Sequence, residues 1–156
     1  MSPAAEAILM RRDLVALFGM PAWPAGLRLV PFVDERALDA HALLRDAYRE
    51  GAGEVPSSFV DWWLSVSSDE EFDPALLFFA ATEDGRLAGF ALCWSSGFIK
   101  DLAVARAFRQ QGVATALLNA IFAAFAERGE TEVRLKVRAD NLAARRAYEQ
   151  AGFTPA

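Results

Sequence analysis

The sequence predicts a mixed α/β fold, an α+β arrangement around one mixed sheet, in a chain of 156 residues. Three observations predict it. Leu76-Leu77-Phe78-Phe79-Ala80-Ala81-Thr82 is a continuous apolar run, as expected of a strand covered on both faces. Phe98–Val104 passes through a basic, glycine-bearing turn directly into a long apolar-faced helix that Gly129 stops. Glu132–Arg138 alternates, with Val133, Leu135 and Val137 on one face and charges on the other. Strands and helices therefore interleave, and there is no internal repeat, low-complexity tract or linker.

In chain order, Ser2-Pro3 has the form of a helix opening, and Ile8, Leu9, Val15 and Leu17 follow it up to Gly19. Residues 1–26, which end in a loop with Pro21 and Pro24, are expected to form an N-terminal helical extension to a domain spanning 27–156. Leu27 to Val33 predicts a first strand. Asp34 predicts the cap of a helix running to about Glu50, with Leu38, Leu44, Ala47 and Tyr48 inward. Gly51-Ala52-Gly53 breaks it. Pro56-Ser57-Ser58 opens a second helix, Phe59 to about Val66, which carries Trp62-Trp63. An acidic loop follows with Asp69, Glu70, Glu71 and Asp73. Asp84-Gly85 predicts a hairpin turn into the strand Arg86–Trp94. Asp140-Asn141 caps a last helix that ends at Gly152.

A composition of 54% hydrophobic and 24% charged residues predicts a folded globular domain. The net charge of −5 argues against general nucleic-acid binding, which needs a broad basic surface. Cys93 is the only cysteine, so no intrachain disulfide or thiolate zinc site is expected and no metal is assigned. A dyad of Cys93 with His41, the only histidine, is conceivable, but a buried strand cysteine is the stronger reading. No apolar run reaches a membrane-spanning length and no signal segment opens the chain, so a cytoplasmic location with no membrane partner is expected.

The chemistry concentrates where Arg109-x-x-Gly112-x-Ala114 joins strand to helix. The first amides of a helix lack intrahelical partners, and with the helix dipole they favour a phosphate group. Gly112 and Ala114 leave that backbone open to close approach. No Gly-Lys-Ser/Thr follows, which excludes a P-loop, and there is no G-x-G-x-x-G dinucleotide turn. A second pattern, Asn141-x-x-Ala144-x-x-x-Tyr148-x-x-x-Gly152-Phe153, lies on the last helix.

Together these two patterns resemble the GCN5-related N-acetyltransferases (GNAT family), over about residues 27–153. The resemblance implies the GNAT acyl-CoA N-acyltransferase fold and transfer of an acetyl group from acetyl-CoA to an amine. It implies that backbone amides of Gln110, Gln111, Gly112, Val113, Ala114 and Thr115 hold the CoA pyrophosphate, with Arg106 and Arg109 adding charge. It implies a central strand splayed from Glu132–Arg138, so that pantetheine pairs with the main chain around Leu102, Ala103 and Val104. An amide there, assigned to Leu102, would bond the thioester oxygen, a donor worth ~3–4 kcal/mol in such sites. Asn141 and Ala144 would contact the cofactor. Tyr148, seven residues beyond Asn141 and so ~10 Å along the helix, would protonate the departing thiolate. The competing reading of Tyr148, a packed aromatic with a bonded hydroxyl, is the weaker one.

The general base stays unassigned. Simple alternation puts Phe98 and Lys100 inward on the central strand and turns Asp101 to the opposite face. Glu70, Glu71 or Asp73 would have to act through water. Trp62-Trp63 and Phe59 suit either an apolar acceptor pocket or simple packing on the sheet. The acceptor is accordingly a small-molecule or peptide amine, and a protein N-terminal or lysine acetyltransferase and a non-catalytic acyl-CoA-binding domain are the rival readings. The family normally adds two strands after Gly152-Phe153, but here only Thr154-Pro155-Ala156 follow. The sheet should then lack its last two strands, unless residues 1–26 or another subunit fill the space. The bare edge favours a homodimer.

Overall fold

The computed structural model describes residues 6–15, 18–49 and 54–156. Its elements are β1 (Ala7–Asp13), β2 (Leu27–Val30), α1 (Asp34–Tyr48), α2 (Phe59–Ser67), β3 (Leu77–Thr82), β4 (Leu87–Trp94), β5 (Phe98–Val104), α3 (Val113–Glu127), β6 (Glu132–Arg138), α4 (Leu142–Gln150) and β7 (Thr154–Pro155). The strands form one seven-stranded sheet in the order β2-β3-β4-β5-β6-β1-β7. Every neighbouring pair is antiparallel except β5–β6, which is parallel.

An apolar layer covers each face. On one side Leu117, Ile121, Phe122 and Phe125 of α3 pack with Met10, Val133, Leu135, Val137 and Phe153. On the other, Leu44 of α1 and Trp62 and Val66 of α2 pack with Phe79, Phe90 and Leu92. β3 is buried almost throughout, as its unbroken apolar run requires. β2 stops at Val30, short of the expected Val33, because Pro31 has no N–H for the ladder. In α1 the N-cap is Val33, and Asp34 lies in the first turn, where its charge meets the positive helix end. Leu38, expected inward, is exposed; Ala37, Ala40, His41, Leu43 and Leu44 make the buried stripe.

The N-terminal segment departs from expectation. Residues 7–13 form a strand, not a helix, paired along its full length with β6 from Ala7↔Arg138 to Asp13↔Glu132. The physical reason is a period of two: Met10, Arg12 and Leu14 are buried while Leu9, Asp13 and Val15 are exposed. Ser2, Pro3 and Leu17 lie outside the described residues. β1 is bonded into the same sheet as the rest, so residue 26 marks no break in the sheet.

The chain carries only the two-residue β7 after Phe153, and of the alternatives for the vacant sheet edge it is the N-terminal segment that fills it. β1 takes the place beside β6, and β7 pairs with β1 at Met10↔Pro155 and Arg11↔Thr154. The physical argument for a second subunit on the β6 edge is thereby removed. Arg12 fixes the arrangement from within: its guanidinium donates to the Ala151 carbonyl at the end of α4 (3.0 Å) and lies 4.7 Å over the Phe122 ring.

Candidate functional site

Two features open the sheet at its centre. β5 and β6 pair only at Phe98↔Arg134 and Ile99↔Leu135; beyond Ile99 the two strands diverge unpaired. The amide of Ala105 bonds to Ala88 on the β4 side. By alternation Ala103 also faces β4, so the N–H and C=O groups of Leu102 and Val104 face the gap. The Val104 carbonyl accepts Arg109 Nε at 3.1 Å, which ties the following turn to the strand end.

That turn delivers α3. Gln110 (φ 61) and Gly112 (φ 89) both adopt left-handed backbone, the latter as the α3 N-cap, a conformation that costs glycine nothing. No side chain caps the helix, and its first internal amide bond is Ala116 to the Gly112 carbonyl. The amides of Val113, Ala114 and Thr115 thus precede the bonded ladder, at the positive end of the dipole. Gly89 on β4 brings the helix close to the sheet. A Cβ there would lie 2.9 Å from Val113 Cγ1 and 3.1 Å from Leu117 Cδ1.

A cleft of about 890 Å³ runs from this helix end into the strand gap. Leu102, Ala103, Val104, Arg109, Gln110, Gly112, Val113, Ala114 and Thr115 line it from the β5–α3 side, and Asn141, Ala144 and Tyr148 from α4. Of the residues expected to bind cofactor, only Gln111 lies off this lining; its side chain donates to the Ala107 carbonyl at 3.3 Å. Arg106, expected to add charge there, is exposed and not part of the lining. Asn141 is the α4 N-cap, accepting from the Ala144 amide at 3.2 Å, while also facing the cleft. Unpaired amides at a helix start and an unpaired strand edge fit a ligand with both a phosphate and an amide-bearing arm.

A second cavity, of about 320 Å³, meets the first at Tyr48, Leu102 and Tyr148. Its wall holds the residue that alternation misplaced. The β4–β5 ladder runs Leu92↔Asp101 and then Cys93↔Ile99, leaving Lys100 as the extra residue of a bulge. The bulge resets the alternation, so Asp101 points toward α1 and is buried at 6% exposure. It is the only buried carboxylate among the described residues. The Tyr48 hydroxyl donates to Asp101 Oδ1, and Lys100 Nζ donates to Oδ2 at 3.2 Å. The expectation that Asp101 turns away from Lys100 is therefore wrong, because a bulge cannot be seen in a single strand.

Burial, then the charge of Asp101 and its hydrogen bond, hold the Tyr48 phenol well above its ordinary range. Burial first, then Asp101, pushes Tyr148 up to about 12. Both phenols are thus proton donors across ordinary pH. The Tyr148 ring also packs edge-on against Phe153 at 5.7 Å, so it both packs and faces the cavities.

Other candidates lie elsewhere. Glu71 accepts from the Ser96 amide, Asp73 pairs with Arg128 at 2.7 Å, and neither they nor Glu70 line either cavity. Trp62 is buried between His41 and Phe90, and Trp63 stacks on Phe59 and Phe32, so this cluster is core rather than acceptor pocket. Cys93 belongs to the α3-side layer, whereas His41 bonds the Pro56 carbonyl among the α1–α2 aromatics. The sheet separates them and there is no dyad. Burial raises the Cys93 thiol pKa strongly.

Comparison with known proteins agrees with this geometry. A sequence model of the acetyltransferase (GNAT) family matches residues 37–153. The chain is 35% identical over 145 residues to a mycothiol acetyltransferase of Clavibacter sepedonicus, covering 85% of this chain and 44% of that protein. It is 34% identical over 83 residues to N-alpha-acetyltransferase 30 of Schizosaccharomyces pombe, covering 48% of this chain and 55% of that one. The crystal structure of a GCN5-related N-acetyltransferase from Sphaerobacter thermophilus superposes with a TM-score of 0.81 at 31% identity, over 99% of this chain and 50% of that one. The chain thus spans about half the length of these relatives.

Proposed function

Because the chain belongs to the acetyltransferase (GNAT) family, we propose that it moves an acetyl group from acetyl-CoA to a primary amine by direct attack of the amine on the thioester. The observation that carries this reading is the divergence of β5 from β6, which joins a cleft under the α3 N-terminus to a cavity bearing a buried carboxylate.

Acetyl-CoA, when bound, supplies the activated acetyl thioester. The amides of Val113, Ala114 and Thr115 hold its pyrophosphate, and the gap-facing groups of Leu102 and Val104 align its amide-bearing arm. The Leu102 N–H donates to the thioester oxygen as negative charge gathers there. Asp101, oriented by Tyr48, accepts the proton that the amine loses as its nitrogen bonds the acetyl carbon. Tyr148 gives its proton to the sulfur as the C–S bond breaks. Its raised pKa keeps that proton in place beforehand.

Calorimetry with acetyl-CoA, followed by CoA release measured against a panel of primary amines, tests the reading. Micromolar binding with amine-dependent release is expected. Absence of binding would overturn it, and so would binding with no release to any amine. The buried Cys93 will not react with the thiol reagent used to detect CoA.

A further inference from the structure

The cavity beyond Tyr148 carries a specific arrangement of charge. β5 contributes Asp101 and its ion-pair partner Lys100 to the lining, β6 contributes Lys136 and Arg138, and Glu54 also lines the cavity. On β6, Arg134, Lys136 and Arg138 follow at every second residue, so they share one face at intervals of about 7 Å. The alternate residues Val133, Leu135 and Val137 are buried against the α3 layer, which turns the three cations to the opposite, acceptor side.

The sheet register leaves this row unbalanced. Opposite the three cations on β1 stand Arg11, Leu9 and Ala7, none of them acidic. Arg11 directly opposite Arg134 is a repulsive cross-strand pair. Arg11 is compensated by Glu132 at 2.5 Å, and Arg138 by Asp140 at 2.9 Å. The side chains of Lys136 and Arg134 make no hydrogen bond or ion pair among the described residues. In a chain of net charge −5, Lys136 in the cavity lining and Arg134 one step along β6 are cations whose side chains have no acidic partner, which an anion would supply.

We propose that the acceptor is a small amine that also carries an anionic group, a carboxylate or a phosphate. Its nitrogen lies at Asp101 and its anion at Lys136, with Arg134 adding attraction from one step along β6. This rests on the acetyl-transfer reading above and adds to it the acceptor's chemical class. A small molecule is favoured because Lys136 lines the cavity itself, whose volume of about 320 Å³ suits a ligand of that kind. The amine end then meets the Asp101 carboxylate on β5, which Lys100 and Tyr48 already hold in place, and the anion end meets the Lys136 ammonium on β6, which orients the acceptor.

The test compares matched acceptors by CoA release: O-phosphoethanolamine against ethanolamine, and β-alanine against β-alaninamide. At least a tenfold higher kcat/KM is expected for the anionic member of one pair, and which pair shows it distinguishes phosphate from carboxylate. Lys136→Glu should reduce that preference at least tenfold, Lys136→Arg should keep it, and added salt should shrink it. Lys136 is exposed, so both variants should fold. Equal turnover of charged and neutral partners would overturn the inference and leave acetyl transfer standing, as would a preference that survives Lys136→Glu. Turnover of an acidic-N-terminus peptide alone would overturn the small-molecule class. Binding of acetyl-CoA without release to any acceptor would overturn the acetyl-transfer reading itself.

Discussion

The cleft proposed for acetyl-CoA and the cavity proposed for the acceptor share a border but are built on different principles. The first is largely backbone: amides at the start of α3, the free edge of β5 and a turn set by two left-handed residues. The second is side chains from distant segments, Tyr48 on α1, Asp101 on β5, Lys136 on β6 and Tyr148 on α4. A backbone site can be written in one contiguous stretch, whereas a side-chain site needs the whole fold to assemble it. Substitutions should therefore separate the two: changes in the cavity alter turnover, and changes beneath α3 alter cofactor affinity.

The largest effect is expected for Asp101→Asn. Losing the proton acceptor should lower kcat by about 10²–10⁴, while calorimetry finds acetyl-CoA affinity nearly unchanged. An equal loss of affinity would mean that the two regions are not separable. Tyr148→Phe should lower kcat by about 10²-fold, again with little change in affinity. Its pH profile carries a sign. With the phenol raised to about 12, the acid stays protonated below that value, so wild-type kcat should show no fall from its loss until pH nears 12. An alkaline fall near 10 that vanishes in Tyr148→Phe would show an unshifted phenol and break the assignment of burial.

Gly89→Ala probes the other side. Its new methyl would press on Val113 and Leu117, and overpacking of about 1–3 kcal/mol should weaken acetyl-CoA binding by about tenfold with kcat little altered. The smallest effect on function should come from Arg12→Ala, at a residue that lines neither cavity. It removes hydrogen bonds to the Ala151 and Asp13 carbonyls and cation–π contacts with Phe18 and Phe122, so urea unfolding should show a loss of about 2–3 kcal/mol with kcat and cofactor affinity held. Loss of activity in folded Arg12→Ala protein would show that the β1–α4 junction reaches the site.

The same contrast governs what could be seen in the sequence. The placement of Arg109-x-x-Gly112-x-Ala114 was legible because strand, turn and helix are consecutive and the helix start needs only backbone and one glycine. Asn141 and Tyr148 were legible because one helix carries both at a fixed spacing. Asp101 was not, since its direction depends on the pairing of Leu92 and Cys93 with Asp101 and Ile99, a fact about two strands at once. β1 was not legible either. Ile8-Leu9-Met10 is apolar at every position and shows no period, so only the pairing with β6 reveals a strand. Leu38 was misread because a helix face is chosen by its neighbours, and Ala37 and Ala40 proved closer to the sheet.

The pairing of β1 with β6 also sets the order in which the molecule can be completed. Arg11 and Glu132, which pair across these strands, are 121 residues apart in the chain. β1 therefore leaves the ribosome long before its partner exists, and closing so large a loop is slow relative to the local hairpin of β3 and β4. Until β6 and α4 are made, Met10 and Leu14 have no β6 and Arg12 has no Ala151 carbonyl to bond. The hairpin strands and α3 can assemble first, and β1 can join only at the end. The strand that comes early in the chain is thus among the last to find its place, and its unpaired interval is when the chain is most exposed to misassembly.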